Sequence, residues 1–215
     1  MAKQKATLEE YRGKRNFDIT SEPKGSAHRN GSGKRNLLYI IQKHQASHLH
    51  YDFRLEWNGV LLSWAIPKGP SLDPAVKRLA ARVEDHPIEY GGFEGVIPEG
   101  EYGAGTVMLW DRGTWTPEFP DVDGALGRGE LKFTLNAKKL KGSWVLVRTR
   151  SGYGGSKKEQ WLLIKHRDRY VSSEDITQTK ARSVASGRLL AEIARDEHGD
   201  VAKAAKGDPG GARSR

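Results

Sequence analysis

Short apolar stretches recur along the chain from Leu37 to about Tyr170, and turn-forming sequences separate them. Runs of this length, bounded by Gly, Pro, Asn and Asp, are typical of β-strands joined by close turns. The turn sequences are NG at 58–59, PKGPSLDP, GG at 91–92, IPEGEYGAG and SGYGG. Eight candidate strands result: LLYIIQ, HYDFRLEW, VLLSWAI, RVEDHPIEY, TVMLWDRGTW, ELKFTL, SWVLVRTR and QWLLIKH.

This succession of strands, with little helical periodicity, predicts a mainly β fold: an antiparallel barrel, closed or half closed, or a sandwich. The two flanks have a different composition. Residues 1–36 are polar and basic and predict a flexible N-terminal arm, so the predicted domain comprises residues 37–170. Residues 171–215 predict a polar C-terminal tail with one short amphipathic helix around Ser183–Ala194.

Composition narrows the function classes. The chain has 36 Lys and Arg against 27 Asp and Glu, a formal net charge of +9, which favours nucleic acid over a membrane as partner. Cysteine is absent, so disulfides, thiol nucleophiles and thiolate metal sites are excluded and any metal must be held by His and carboxylates. Because no leader-like or membrane-length apolar run occurs, we expect a soluble cytoplasmic protein that works at the nucleoid without a membrane partner.

Histidines are concentrated in QKHQASHLHYDFRLEW. From His50 onward apolar and polar residues alternate, so in a strand the apolar set faces a core and His50, Asp52 and Arg54 share the opposite face. An imidazole and a carboxylate two positions apart can bind one divalent ion, and the third ligand would be His48 or His44, which the spacing does not separate. An arginine beside the ion supplies donors for a phosphate oxygen. The cluster therefore predicts a catalytic metal site.

A second polar group occurs in VEDHPIEY. If this segment is a strand, Glu84, His86 and Tyr90 share one face, and Pro87 restricts it to an edge or a bend. His and Tyr beside a phosphate would supply a proton donor and a hydrogen-bonding hydroxyl for the charge that develops in transfer. The functional interpretation of this segment depends on the first cluster.

Basic residues interleave with both clusters, and the segment PKGPSLDPAVKRLAARV would carry Lys68 and Arg78 to the rim of a groove. The glycine-rich GVIPEGEYGAGT lacks the Lys and Ser/Thr of a P-loop, so it is interpreted as a hairpin connection. The sequence contains neither a G-x-S-x-G elbow nor an H-E-x-x-H zinc motif. These absences argue against a P-loop NTPase, a serine hydrolase and a zincin.

Two long segments resemble the 3′-phosphoesterase domain of bacterial end-joining DNA ligase D and the free-standing proteins of that family: QKHQASHLHYDFRLEWNGVLLSWAIPKGPSLDP and VEDHPIEYGGFEGVIPEGEYGAGTVMLWDRGTW. The resemblance extends from about Tyr11 to His166. It implies a single compact antiparallel β-barrel with its active site in a groove. It also implies an enzyme that depends on Mn²⁺, or on another divalent transition metal. In end-joining repair this enzyme removes a 3′-terminal ribonucleoside and then the 3′-phosphate, which leaves a 3′-hydroxyl.

The resemblance also assigns roles by motif position. It implies three metal ligands, and so selects His44 over His48: His44, His50 and Asp52. It implies five catalytic residues around the phosphate: Arg54, Arg78, Glu84, His86 and Tyr90. Arg54 and Arg78 would also bind the substrate, together with Gln42 and Lys68.

The segment YRGKRNF…SEP resembles a family arm that assists ribonucleoside removal through Arg15 and Glu22 as substrate-binding residues. The family pattern has an aspartate after that arginine, whereas this chain has Asn16. The departure concerns the ribonucleoside-removing step and not the phosphatase step. An arm of this kind can become ordered when nucleic acid binds.

The expected substrate is the 3′ end of a DNA or DNA–RNA primer–template. Because polymerase and ligase motifs are absent from the sequence, a ligase, a polymerase or an end-binding protein would act in trans, and the chain itself is expected to be a monomer. The alternative is a non-catalytic basic β-barrel that binds nucleic acid. This alternative accounts for the positive charge but gives no reason for two His and an Asp on one face. A cupin-like small-molecule metalloenzyme would not need the surplus of Arg and Lys.

Overall fold

The computed structural model describes residues 8–25, 36–149 and 159–210 of the chain. The strands in these ranges are β1 Leu37–Gln45, β2 Leu49–Trp57, β3 Val60–Ile66, β4 Lys77–His86, β5 Gly95–Ile97, β6 Gly105–Pro117, β7 Glu130–Ala137, β8 Lys141–Arg148 and β9 Gln160–Lys165. The helices are α1 Glu9–Gly13, α2 Val122–Arg128, α3 Ile176–Thr179, α4 Leu190–Asp196 and α5 Val201–Ala205, with a 3-10 helix at Ile88–Gly92. No helix among the described residues has the length and apolar character needed to cross a membrane.

Eight of these strands close into an antiparallel barrel in the order β1-β2-β3-β4-β9-β8-β7-β6, and β6 pairs back with β1. The short β5 adds to one end of β6. Closure pairs the two strands that would otherwise be open edges and encloses a space that side chains fill. The structure therefore confirms the predicted antiparallel β-barrel and decides against the sandwich.

Alternating residues of the strands form two separate hydrophobic clusters. The larger one fills the barrel interior and takes side chains from all eight barrel strands, including Tyr51, Phe53 and Leu55 of β2. The smaller one lies on the outer face, where Ile40 of β1 packs with Tyr90 and with Tyr11 of the N-terminal arm. Because successive strand residues face opposite sides, the polar residues of β2 lie on this outer face.

The course of β4 differs from the predicted strand RVEDHPIEY. It begins at Lys77 and ends at His86, since Pro87 has no N–H for a further ladder bond and opens the 3-10 helix instead. The strand also contains a bulge: Leu61 and Ser63 of β3 pair with His86 and Val83, so that three steps along β4 match two along β3. The extra residue reverses the alternation of side chains along β4.

Both flanks of the barrel contain ordered elements that the sequence analysis did not predict. Tyr11 in the arm is fully buried. Residues 171–210, the described part of the predicted polar tail, contain three helices. Of these, α4 overlaps the expected helix but begins seven residues later, and its Leu190, Ile193 and Ala194 join the larger hydrophobic cluster. Asp208 accepts hydrogen bonds from the backbone N–H groups of Leu190 and Ala191, which satisfies the first turn of α4.

Candidate active site

The three implied metal ligands converge on the outer face of β1 and β2. His44 on β1 lies directly opposite His50 on β2, and Asp52 follows two residues later on the same face. Their ligand atoms all lie within 4.8 Å of one another. The distances are 3.8 Å from His44 Nδ1 to Asp52 Oδ2 and 3.8 Å from His50 Nε2 to Asp52 Oδ1. Strand pairing brings the more distant His44 into the group.

Backbone carbonyl groups orient both imidazole rings. His44 Nε2 donates to the carbonyl of Gly103 at 2.8 Å, and His50 Nδ1 donates to the carbonyl of His48 at 3.0 Å. The other nitrogen of each ring is then left without a proton and faces Asp52. This is the arrangement of metal-binding histidines, whose second N–H is usually fixed by a carbonyl or carboxylate. His48 provides its carbonyl, while its side chain is exposed.

The electrostatic environment maintains an anion at Asp52 and favours the neutral form of His50. Burial by itself would raise the pKa of Asp52, but the Arg54 guanidinium holds it well below its usual range. Burial lowers the pKa of His50. A carboxylate and two neutral imidazoles are the forms in which these groups bind a divalent ion.

Arg54 is almost fully buried, and three of its N–H groups have fixed partners. Its Nη2 donates to Asp52 Oδ2 at 3.2 Å, its Nε to Gln42 Oε1 at 2.8 Å and its Nη1 to Ser63 Oγ at 2.7 Å. The guanidinium also lies over the ring of Tyr90, 4.9 Å from its centroid. A buried guanidinium held in this way is fixed next to the carboxylate that it partly neutralises.

Gln42 and Ser63 support Arg54 from two neighbouring strands. Gln42 is fully buried, and its amide donates to the carbonyls of Tyr90 and Phe93, so its described partners are protein atoms. Its predicted contact with the substrate stays a prediction. Ser63 was missed in the sequence; it pairs with Arg54 across β2 and β3, and only this register could have revealed it.

His86 lies at the end of β4 with both ring nitrogens in hydrogen-bonding range. Its Nδ1 is 2.9 Å from the carbonyl of Glu84, so it carries the proton, and its Nε2 is 3.3 Å from Arg15 Nη2. Burial, with Arg54 and Arg15 nearby, holds the pKa of His86 well below its usual value. This favours the neutral ring with Nε2 unprotonated, while the proton-transfer role expected for His86 stays a prediction.

Tyr90 lies in the 3-10 helix after β4, next to His86. The two ring centroids are 4.8 Å apart. Burial, assisted by Glu22, raises the pKa of Tyr90 well above its usual value, so its hydroxyl keeps its proton and is a hydrogen-bond donor.

The N-terminal arm packs directly against His86 and Tyr90. Arg15 donates to Glu22 Oε1 at 2.9 Å, and both side chains are buried. Its Nη1 is 3.5 Å from Glu84 Oε1, and Lys14 reaches the same carboxylate at 3.2 Å. The structure thus brings Arg15, Glu22 and Glu84 together with His86. Asn16 is exposed, and its side chain accepts a hydrogen bond from the N–H of Asp18.

Two predicted residues are not joined to the metal ligands or to Arg54 by any contact among the described residues. Arg78 pairs with Leu163, a member of the interior cluster, so its side chain starts from the interior face of β4. The β4 bulge explains this, because Arg78 and His86 would share a face in a regular strand. Lys68 lies exposed in the turn after β3. The substrate contacts of both residues stay predictions.

Comparisons with known proteins identify the family of the chain. Residues 42–148 match the family of the DNA Ligase D 3′-phosphoesterase domain. The chain is 50% identical over 198 residues to the multifunctional non-homologous end joining protein LigD of Pseudomonas aeruginosa, an alignment that covers 91% of this chain and 22% of that protein. It is 45% identical over 143 residues to the corresponding LigD repair protein of Mycobacterium tuberculosis, which covers 66% of this chain and 18% of that protein. Over 167 residues it is 39% identical to LigD of Mycolicibacterium smegmatis, covering 75% of this chain and 21% of that protein.

A β-barrel that presents a candidate metal-binding triad beside a buried arginine has groups suited to act on phosphate esters. The chain belongs to the LigD 3′-phosphoesterase domain family, which confirms the resemblance seen in the sequence. It spans about a fifth of the length of the relatives named above, at 22%, 18% and 21%.

Proposed function

We propose that the chain is a manganese-dependent phosphoesterase that repairs 3′ ends in DNA end joining. It removes a 3′-terminal ribonucleoside and then the 3′-phosphate, which leaves a 3′-hydroxyl on DNA or on a DNA–RNA primer–template. The observation that carries this proposal is the convergence of the His44, His50 and Asp52 ligand atoms within 4.8 Å, next to the buried Arg54.

The residues fit a divalent metal because the two free imidazole nitrogens and the carboxylate face one another. His44 Nδ1, His50 Nε2 and an oxygen of Asp52 would hold it. When bound, such an ion supplies Lewis-acid polarisation of a phosphate oxygen. Two nitrogens and one oxygen suit Mn²⁺ and also other divalent transition metals.

The remaining groups bind and orient the phosphate. Arg54 has five N–H groups, of which three have the protein partners described above, so two N–H groups remain for phosphate oxygens. The Tyr90 hydroxyl would donate a hydrogen bond to the same phosphate. His86 is held neutral and can accept a proton at Nε2 once the substrate has displaced the Arg15 contact. No nucleophilic side chain is required.

The arm contributes to ribonucleoside removal more than to phosphate removal. Arg15 is held by Glu22 and Glu84 beside His86 and would contact the nucleotide beyond the scissile phosphate. Asn16 is exposed and caps a local turn, so it leaves this ion-pair network intact. We therefore expect both reactions in this chain. We also propose that it acts in the cytoplasm as a monomer, with a separate ligase or polymerase and an end-binding protein.

The test uses two primer–templates, one whose primer ends in a single ribonucleotide and one whose primer ends in a 3′-phosphate. Each is incubated with the protein and Mn²⁺ or with EDTA, and the products are resolved on a gel. The proposal expects shortening to a 3′-phosphate and then conversion to a 3′-hydroxyl, with Mn²⁺ alone. Binding without reaction on either substrate would instead support a non-catalytic nucleic-acid-binding barrel.

A further inference from the structure

The loop between β5 and β6 presents an exposed aromatic ring next to the candidate active site. Tyr102 in this loop is 47% exposed. Among the described residues, Tyr102 and Phe119 are the two aromatic side chains that are largely exposed, and Phe119 lies in the connection from β6 to α2. An exposed ring beside a candidate site has a π-face that is available for stacking with a nucleobase.

Two contacts place Tyr102 at the edge of the site. The carbonyl of the next residue, Gly103, accepts the hydrogen bond that orients the metal ligand His44. On its other side, the centroid of the Tyr102 ring is 4.8 Å from Lys14 Nζ and 5.8 Å from Arg15 Cζ. The ring of Tyr102 therefore contacts the arm, while the backbone directly after it contacts the candidate metal ligand His44.

The loop backbone is fixed at both ends. Gly103 has φ +82, in the left-handed region, and a Cβ there would lie 3.6 Å from His44 Cε1. Two tight turns are closed by hydrogen bonds, from the N–H of Glu101 to the carbonyl of Pro98 and from the N–H of Ala104 to the carbonyl of Glu101. The Glu101 carboxylate also accepts a hydrogen bond from the N–H of Asn16 in the arm. Tyr102 is thus held by the same contacts that position His44 and the arm.

We propose that Tyr102 binds the substrate strand by stacking on the nucleobase of the nucleotide that carries the reacting 3′-phosphate. This inference rests on the proposed function, because it requires a strand end in the site. With the phosphate bound at Arg54 and the candidate metal site, the attached base would lie at the edge of the site, where the exposed ring of Tyr102 offers a π-face. Stacking accepts any of the four bases, as repair of arbitrary ends requires. The ammonium of Lys14 beside the ring would face the backbone phosphates.

The competing explanation is that the ring only holds the arm in place through cation–π contacts with Lys14 and Arg15. The two explanations differ in one respect: stacking requires a base on the substrate, whereas support of the arm does not. A substrate without its terminal base therefore separates them.

The experiment measures the affinity of fluorescent primer–templates by anisotropy in EDTA, so that no metal is needed. One primer ends in a normal nucleoside 3′-phosphate, and the other ends in a tetrahydrofuran 3′-phosphate, which has the sugar but no base. Tyr102→Ala should weaken binding of the normal end about tenfold and leave the baseless end within about twofold. Tyr102→Phe should bind both ends like the wild type, and Phe119→Ala is the matched control at the other exposed ring.

Equal weakening of both ends by Tyr102→Ala would overturn the proposal in favour of arm support, and no weakening of either would overturn it as well. In the presence of Mn²⁺, Tyr102→Ala should raise KM for 3′-phosphate removal without lowering kcat. If the wild type removes no phosphate but the base-dependent loss of affinity is observed, the proposed function fails and the stacking role stands. If phosphate removal is normal and Tyr102→Ala treats both ends alike, the stacking role fails by itself.

Discussion

Arg15 Nη2 lies 3.3 Å from His86 Nε2, although the two residues are 71 positions apart in the chain. The contact joins the N-terminal arm to the end of β4 and puts a fixed positive charge against the one unprotonated nitrogen of the ring. Glu22 and Glu84 hold the guanidinium from the other side. The arm therefore belongs to the site and sets the protonation of one of its central residues.

Arg15→Gln should raise the pKa of His86, because the positive charge of Arg15, which disfavours a proton on the ring, is removed. The Glu84 carboxylate, which Arg15 now partly neutralises, would then favour the protonated ring more strongly. In the wild type the pKa of His86 in the folded protein lies below the usual 6.5. On acidification the unfolded chain therefore takes up a proton at His86 more readily than the folded protein does, and stability is lost as the pH falls below about 6.5. The variant should shrink that loss. Titration of the His86 ring proton by NMR measures the shift. Arg12→Gln, on the exposed part of the same arm, is the control, and an unmoved His86 titration in Arg15→Gln would contradict the charge coupling.

Ser63→Ala should loosen Arg54 without touching the metal ligands. The Ser63 hydroxyl accepts from Arg54 Nη1 at 2.7 Å and donates to the carbonyl of Leu61 at 2.9 Å. Loss of a partner for a buried charged donor costs about 1–3 kcal/mol of unfolding free energy. Urea unfolding should show this cost, and kcat for phosphate removal should fall while Mn²⁺ affinity is retained. Ser173→Ala, at an exposed serine, should change neither quantity; a Ser63→Ala protein with normal stability and kcat would remove Ser63 from this role.

The polar face of β2 could be predicted because its period-two alternation continues without interruption from His50 to Trp57. The same rule does not extend along β4, where Arg78 and His86 have the same parity but the bulge opposite Leu61 and Ser63 turns them to different faces. A bulge depends on pairing with a neighbouring strand and leaves no local pattern. Alternation therefore predicts a site within one regular strand and not across an irregular one.

The residues of neighbouring strands that hold Arg54 could not be predicted from the sequence either. Ser63 acquires its role from its register with Arg54, and Gln42 becomes a fixed acceptor for that arginine because its amide meets the carbonyls of Tyr90 and Phe93. In the C-terminal region, polar composition suggested a tail, whereas a few apolar residues such as Leu190 and Ile193 suffice to anchor short helices on the barrel. Tertiary packing decides such segments more than average composition does.

His44→Ala and His48→Ala form a direct test of the ligand set. The Nδ1 of His44 faces Asp52, whereas the His48 side chain is exposed and only its carbonyl is used. Isothermal titration with Mn²⁺ in the absence of substrate should show loss of binding for His44→Ala and normal binding for His48→Ala. Both reactions should be lost with His44→Ala. Retained Mn²⁺ affinity in that variant, or its loss in His48→Ala, would contradict the assignment.

Glu22→Gln should release the arm from the site. The Arg15 and Glu22 side chains have only 4% and 0% exposure, so removal of the Glu22 charge leaves the buried Arg15 with only the longer 3.5 Å contact to Glu84, at a cost of up to about 3–5 kcal/mol. Because this cost is local, we expect the arm to detach while the barrel stays folded. Trypsin should then cleave within residues 8–25 faster than in the wild type, and ribonucleoside removal should fall more than 3′-phosphate removal. Glu9→Gln, at an exposed glutamate of α1, should behave like the wild type. Equal loss of both reactions in Glu22→Gln would deny the arm its selective role.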